Sequence, residues 1–312
     1  MNVVRYQHGD RARWGVLREG RIAPVAGDFA TTGAFVTRAD LGALEDEIDA
    51  RDVAFLSPVT RNQQFVCQGA NYRQHMIESG VDPDVKTFNM IFTKASSCIV
   101  PATSDVIRPK RVRFLDYEIE LGLVLRRAIH EPVLVTRENL HEYVAAAVIV
   151  NDYSARDVQI PEMQFYKGKS FRTFGPVGPR LVMLDAENVG AVDRLRLTLT
   201  VNGEVRQNDT TANLVYKPAE TLTELSRVHD FEAGDLLSTG TPAGCALAVP
   251  SPRKQKIAQL LPDKKRWEMF FAIQAKRPYL QPGDVVESRI RSDDGAIDLG
   301  VQRNRVVGEV SP

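Results

Sequence analysis

The chain has 312 residues, 43% hydrophobic and 26% charged, the composition of a globular protein long enough to bury a sizeable core. Forty basic residues balance forty acidic ones, so the charge gives no support for nucleic acid or an anionic membrane as partner. The start, MNVVRYQHGD, has no signal-peptide pattern, and no apolar run approaches the ~18–20 residues of a membrane-spanning helix.

Residues 1–60 read as a small N-terminal α/β module: short strands at MNVVRYQ and RWGVLREG, then a helix-like ADLGALEDEIDARDVAFL ending before Pro58. From there to residue 312 the pattern is β-rich. FVCQGA reads as a strand, NYRQHMIESG as a helix closed by Gly80, and NMIFTKASS, FLDYEIELGLVL and VAAAVIVNDYS as strands. RLRLTLTVNGEVRQ is a hairpin around Asn202-Gly203, AETLTELSRV a helix, and GDLLSTGTPAG, GDVVESRIR and AIDLGVQRNRVV the closing strands. Closely spaced strands with few helices between them predict an α+β, β-rich mixed sheet or roll rather than a doubly wound sheet. Residues 246–280, basic and with Trp267, Phe270 and Phe271, interrupt this rhythm as an insertion. The insertion either packs on its own domain or a partner subunit, or covers a site as a lid. Cys67, Cys98 and Cys245 are odd in number and far apart, which predicts reduced thiols and a cytoplasmic protein.

Four segments carry candidate chemistry. In FLDYEIELGLVL, Leu115, Tyr117, Ile119, Leu121, Leu123 and Leu125 share one parity, and Asp116, Glu118, Glu120 and Gly122 the other. Same-face carboxylates repel, and a hard divalent cation removes the repulsion, with Asp152 at the end of VIVND as a third oxygen ligand. The same spacing also fits a solvated strand face matched by Lys or Arg on a neighbour. His75 and Glu78 sit three apart on a helix, either as a general base with its orienting carboxylate or as an exposed surface pair. Lys169, before a Pro/Gly-rich loop, suits a substrate carboxylate or an enolate, or is an ordinary solvated lysine. STGTPAG lets a ligand approach the backbone, with Thr241 offering hydroxyl and N–H, or is simply a tight turn.

Taken in order, QGANYRQH, FLDYEIELGLVL, VNDYSARDVQ, GKSFRTFGPVGP, VNGEVRQ, GDLLSTGTPAG and LQPGDVVESRI resemble the fumarylacetoacetate hydrolase family over residues 64–307. The resemblance implies a mixed β-sandwich roll, a homodimer, and Mg²⁺ (or Mn²⁺ or Ca²⁺) on Glu118, Glu120 and Asp152. It implies His75 and Glu78 as catalytic pair, Lys169 and Thr241 as substrate contacts, weaker roles for Arg156, Asp157 and Gln164, and a structural role for Asp116. Arg172, Tyr153 and the lengthened stretch after GTPAG depart from the family pattern, which leaves the substrate open. The expected activity is hydrolysis of a C–C bond in a 2,4-dioxo acid such as an acylpyruvate or fumarylpyruvate. The alternatives are decarboxylation of an oxo acid, or isomerisation or hydration, on the same scaffold, and a non-catalytic binding protein.

Overall fold

A computed structural model describes residues 1–78, 80–248 and 260–310. Its centre is an antiparallel pair of strands, Ile119–Leu125 and Val144–Asn151, joined in the register Ile119↔Asn151 to Ala146↔Val124. Every side chain of both is buried. The two parities of the first strand enter different cores. Ile119, Leu121, Leu123 and Leu125 join the larger apolar cluster, while Val124 joins a second one with Val148 and Val150. Gly122 lies on this second side, where a Cβ would stand 2.7 Å from Val150 Cγ2, so only glycine fits.

An eleven-stranded sheet extends from this pair. On one side Leu181–Met183 leads to Asn2–His8, Arg11–Arg18, Arg21–Pro24 and Ile48–Asp49; on the other Leu236–Ser238 leads to Phe65–Gly69 and Met90–Lys94. The sheet curls back on itself. After Met90–Lys94 the chain pairs Ile99–Val100 with Gly175–Pro176, and Val177 bridges to Val150 in the centre. A five-stranded sheet covers the larger cluster, in the order Glu204–Thr210, Arg196–Val201, Val285–Arg291, Asp298–Gly308, Val106–Arg108. Its strand Val285–Arg291, antiparallel to both neighbours, alternates buried and exposed residues, one face on the core. The Asn202-Gly203 hairpin forms as expected, with φ of 52° and 82°. The architecture is thus a strand-rich mixed α/β roll.

Two sequence expectations change. The helix expected at residues 39–56 is absent. The helix lies earlier, at Thr32–Arg38, where the Thr31 hydroxyl caps Ala34 N–H at 3.1 Å. The later stretch turns at Asp40 and then supplies the edge strand Ile48–Asp49 and the strand Ala54–Leu56, because backbone pairing with neighbouring strands outweighs weak helical periodicity. The strand through FLDYEIELGLVL breaks at Tyr117 and Glu118, between Leu115–Asp116 and Ile119–Leu125. Its acidic side is not solvated: Asp116, Glu118 and Glu120 are all buried. Residues 1–60 join the main sheet through Asn2–His8 and share the second cluster through Val3, Trp14, Val16 and Phe35.

The insertion packs on its own domain. Its helix, Asp263–Gln274, sets Phe271 against Phe114 at 5.8 Å between ring centres, and Tyr279 stacks on Phe114 at 4.9 Å. Residues 249–259 of the insertion lie outside the described residues. No helix is long and apolar enough to cross a membrane among the described residues. Cys67, Cys98 and Cys245 are free thiols.

Candidate active site

The strand ends converge. Asp152 follows Val144–Asn151 directly and its N–H donates to the Glu118 carbonyl at 2.8 Å, so the antiparallel register brings Asp152 beside Glu118 and Glu120. One oxygen from each of the three carboxylates lies within 4.8 Å of the others, and all three residues are buried. Two buried amides, Gln207 from the five-stranded sheet and Asn151 from the end of the central strand, fix the backbone around them. Gln207 Oε1 accepts Ile119 N–H at 3.1 Å, its Nε2 donates to Thr241 Oγ1 at 2.9 Å, and Asn151 Oδ1 accepts Glu118 N–H at 3.0 Å.

Buried cations surround the acids. Lys169 Nζ donates to Glu118 Oε2 at 2.6 Å, Asp152 Oδ2 at 2.6 Å and Ser154 Oγ at 2.8 Å. Lys94 Nζ donates to Asp152 Oδ1 at 2.5 Å and to the Phe174 carbonyl at 2.7 Å. Arg156 donates to Asp116, to Gln159 and, from its Nη2, to Glu118 Oε1. Four buried carboxylates (Asp116, Glu118, Glu120, Asp152) therefore face three buried cations (Lys94, Arg156, Lys169), one fewer. Burial pushes the Glu118 carboxyl up, but Arg156 and Lys169 outweigh it and hold it at about 2. Among the described residues no cation forms an ion pair with Glu120, and Lys169 pulls on it only weakly. Burial, then Asp152 and Glu118, push it up to about 8, against the bond from Ser238 Oγ at 2.5 Å. Burial lowers the Lys94 and Lys169 ammonium groups, yet the facing carboxylates raise both overall.

These residues fit a divalent cation. The donors are all carboxylate oxygens, as a hard cation prefers, and Glu120 lacks the positive charge such an ion would bring. Both bonds that Glu120 accepts, from Ser238 and Gly240, go to Oε2, leaving Oε1 for another partner. All three N–H donors of Lys169 are committed to protein oxygens, two of them on the candidate ligands. A cation on those carboxylates would compete for these oxygens and release Lys169 toward a ligand.

The adjoining cavity, about 300 Å³, is lined by His75, Glu118, Glu120, Arg156, Gln159, Lys169 and Thr241, with Phe92, Ile160, Phe165 and Leu247 among its apolar walls. His75 is partly buried on the short helix Arg73–Glu78. Burial lowers its pKa, against the pull of Glu118. Glu78 is on that helix but exposed, and its carboxylate takes a bond from Gln74 at 3.3 Å rather than from His75. Thr241 is buried at the wall, its hydroxyl donating to the Ile119 carbonyl at 3.0 Å.

Gln164 does not line this cavity. It is exposed at the start of the helix Phe165–Lys169, and Gln159, one turn earlier and bonded to Arg156, stands at the wall instead. Asp157 is also placed away from the cavity, accepting Arg113 N–H at 2.7 Å. Sequence reasoning missed Lys94, Gln159, Gln207 and Ser238. Gln159, Gln207 and Ser238 lie within the motifs VNDYSARDVQ, VNGEVRQ and GDLLSTGTPAG, and Lys94 closes the strand MIFTK.

Fold and site together define a β-roll with a buried, all-oxygen acidic centre at the mouth of a small cavity. The chain belongs to the fumarylacetoacetate hydrolase family: the family's C-terminal domain matches residues 64–307, and an Rv2993c-like N-terminal domain matches residues 1–58. It is 33% identical to oxaloacetate tautomerase YisK of Bacillus subtilis over 205 residues, covering 65% of this chain and 66% of that protein. It is 34% identical to the mitochondrial oxaloacetate tautomerase Fahd2a of Rattus norvegicus over 223 residues, covering 71% and 69%. The chain thus spans about two thirds of the length of these relatives. Among solved structures, a fumarylacetoacetate hydrolase from psychrophilic Exiguobacterium antarcticum superposes with a TM-score of 0.74 at 28% identity, covering 99% of this chain and 100% of that one.

Proposed function

We propose that this protein interconverts the keto and enol forms of a short 2-oxo dicarboxylate of the oxaloacetate type. The observation that carries the reading is His75. It lines the cavity with no ion pair or hydrogen bond among the described residues, while its depressed pKa keeps it neutral near pH 7. It is therefore the group suited to take a proton from the carbon beside the 2-oxo group and return one to the oxygen. Arg156 and Lys169 hold positive charge where substrate carboxylates would lie. A divalent cation held by Glu118, Glu120 and Asp152 would supply Lewis-acid stabilisation of the negative charge that develops on the substrate. The tautomerase names of the relatives support the same reading.

Hydrolysis of a 2,4-dioxo acid is the second reading, favoured by the likeness to a solved fumarylacetoacetate hydrolase. It asks more of His75, which would have to hold a water for attack, and the carboxylate expected to orient it is bonded to Gln74. The test follows enol absorbance of oxaloacetate and, separately, acid and pyruvate release from acylpyruvates, both with magnesium. Catalysed enol decay that disappears in His75→Ala supports tautomerisation. Acylpyruvate cleavage without catalysed enol decay refutes it in favour of hydrolysis.

A further inference from the structure

The insertion does more than decorate the surface, because both of its ends are clamped to the strand that carries the acids. On the entering side, Ala246 N–H and Leu247 N–H donate to Asp116 Oδ1 and Oδ2 at 2.8 and 3.0 Å. On the returning side, Leu280 N–H donates to the Leu115 carbonyl at 2.9 Å, and Arg277 Nε donates to the Ala246 carbonyl at 3.0 Å. Gln274, fully buried, ties the two sides together. It exchanges bonds with Ala248 N–H and C=O at 3.2 and 2.8 Å and accepts the Tyr279 hydroxyl at 2.7 Å. Residues 246–248 and 274–280, anchored by these buried amide and carboxylate bonds, form a fixed wall.

Asp116 links that wall to the site. Its carboxylate also accepts Tyr117 N–H at 3.0 Å and Arg156 Nε at 2.9 Å, and the same guanidinium holds Glu118. Leu247, whose N–H is hydrogen-bonded to Asp116, lines the cavity from the insertion.

We propose that Leu247 is a specificity-determining residue that limits substrate length, and that Asp116 is the positioning residue that holds this wall in register with Arg156. The inference rests on the proposed 2-oxo dicarboxylate reading and deepens it by naming what restricts the site to short substrates. A methylene without room in an apolar pocket costs roughly tenfold or more in affinity.

The test measures dissociation constants by titration calorimetry, with magnesium present, for 2-oxoglutarate and the one-carbon-longer 2-oxoadipate. Wild type is expected to favour the shorter acid about tenfold. Leu247→Ala should bring the ratio close to one, and Leu247→Phe should steepen it. Asp116→Asn should flatten the ratio with Leu247 intact, and should raise KM more than it lowers kcat because Arg156 loses its register. A ratio unchanged in Leu247→Ala overturns the assignment of the wall. A lower melting temperature in Asp116→Asn with an unchanged ratio overturns the positioning role. Failure of the underlying tautomerase reading would show differently, as absence of enol turnover in the wild type, since the length ratio is read from binding.

Discussion

Replacing Lys94 with Met keeps the length and apolar stem of the side chain but deletes its ammonium group. Lys94 is fully enclosed; its Nζ stands 2.5 Å from Asp152 Oδ1, and no water is needed to complete the pair. The deletion leaves four buried carboxylates against two buried cations, Arg156 and Lys169. Removing one partner of a buried pair costs ~3–5 kcal/mol, because the remaining charge has neither water nor a counter-ion. At ~2–3 °C per kcal/mol this is a fall of roughly 6–15 °C in Tm. A divalent cation should offset part of it, since any ligand of the native state adds about 2.7 kcal/mol at a hundred times its Kd. The assay is thermal unfolding of wild type and Lys94→Met in chelator and across a magnesium titration. The expected result is a large deficit in chelator, and a magnesium-induced rise in Tm that is larger in the variant than in wild type. Adding Asp152→Asn to Lys94→Met should recover stability in chelator while removing the magnesium response. A variant within about 1 kcal/mol of wild type in chelator, with no response to magnesium, refutes the charge accounting; the threshold is a third of the smallest expected penalty.

The raised Glu120 carboxyl sets a pH dependence. In the metal-free folded state it keeps its proton up to about 8, whereas the unfolded chain releases it near 4.5. The native state therefore binds more protons across this window, and metal-free stability should fall as pH rises from 4.5 to 8. Magnesium affinity should rise over the same window by up to tenfold per unit and level off above it, as calorimetry at several pH values would reveal. A flat affinity profile would contradict the assignment of Glu120 as a ligand. His75→Ala should lower enol turnover by ~10²–10⁴-fold, while Glu78→Ala changes it by less than about tenfold, both read as kcat/KM. Equal losses would restore Glu78 to the catalytic pair. The acid limb of the wild-type kcat/KM profile should lie below the ordinary histidine value of 6.5, since burial lowers the His75 pKa. Gly240 has φ of +88°, and its N–H donates to Glu120 Oε2, so Gly240→Ala should cost ~1–3 kcal/mol in unfolding free energy and weaken magnesium binding in the same preparation.

Alternation and order made much of this protein legible in its sequence. The period of two in FLDYEIELGLVL and VAAAVIVND marked strands, Asn202-Gly203 marked a hairpin, and the ordered motifs pointed to the family and to Glu118, Glu120, Asp152 and Lys169 as neighbours. These are local signals, because side-chain direction along a strand depends only on parity. Tertiary structure decided what parity could not. It showed that the acids on that strand are buried among Arg156, Lys169 and Lys94 at the mouth of a cavity, and that the strand breaks at Tyr117 and Glu118. It replaced Gln164 with Gln159 at the cavity wall, bonded His75's expected partner to Gln74, and brought Lys94 to Asp152 across 58 positions of chain. It also determined that 246–280 is anchored through Asp116. The Lys94–Asp152 pair and the anchoring of 246–280 through Asp116 depend on which distant groups satisfy a buried charge or amide. A buried charge has to find a partner in space, and separation along the chain does not reveal which partner that is.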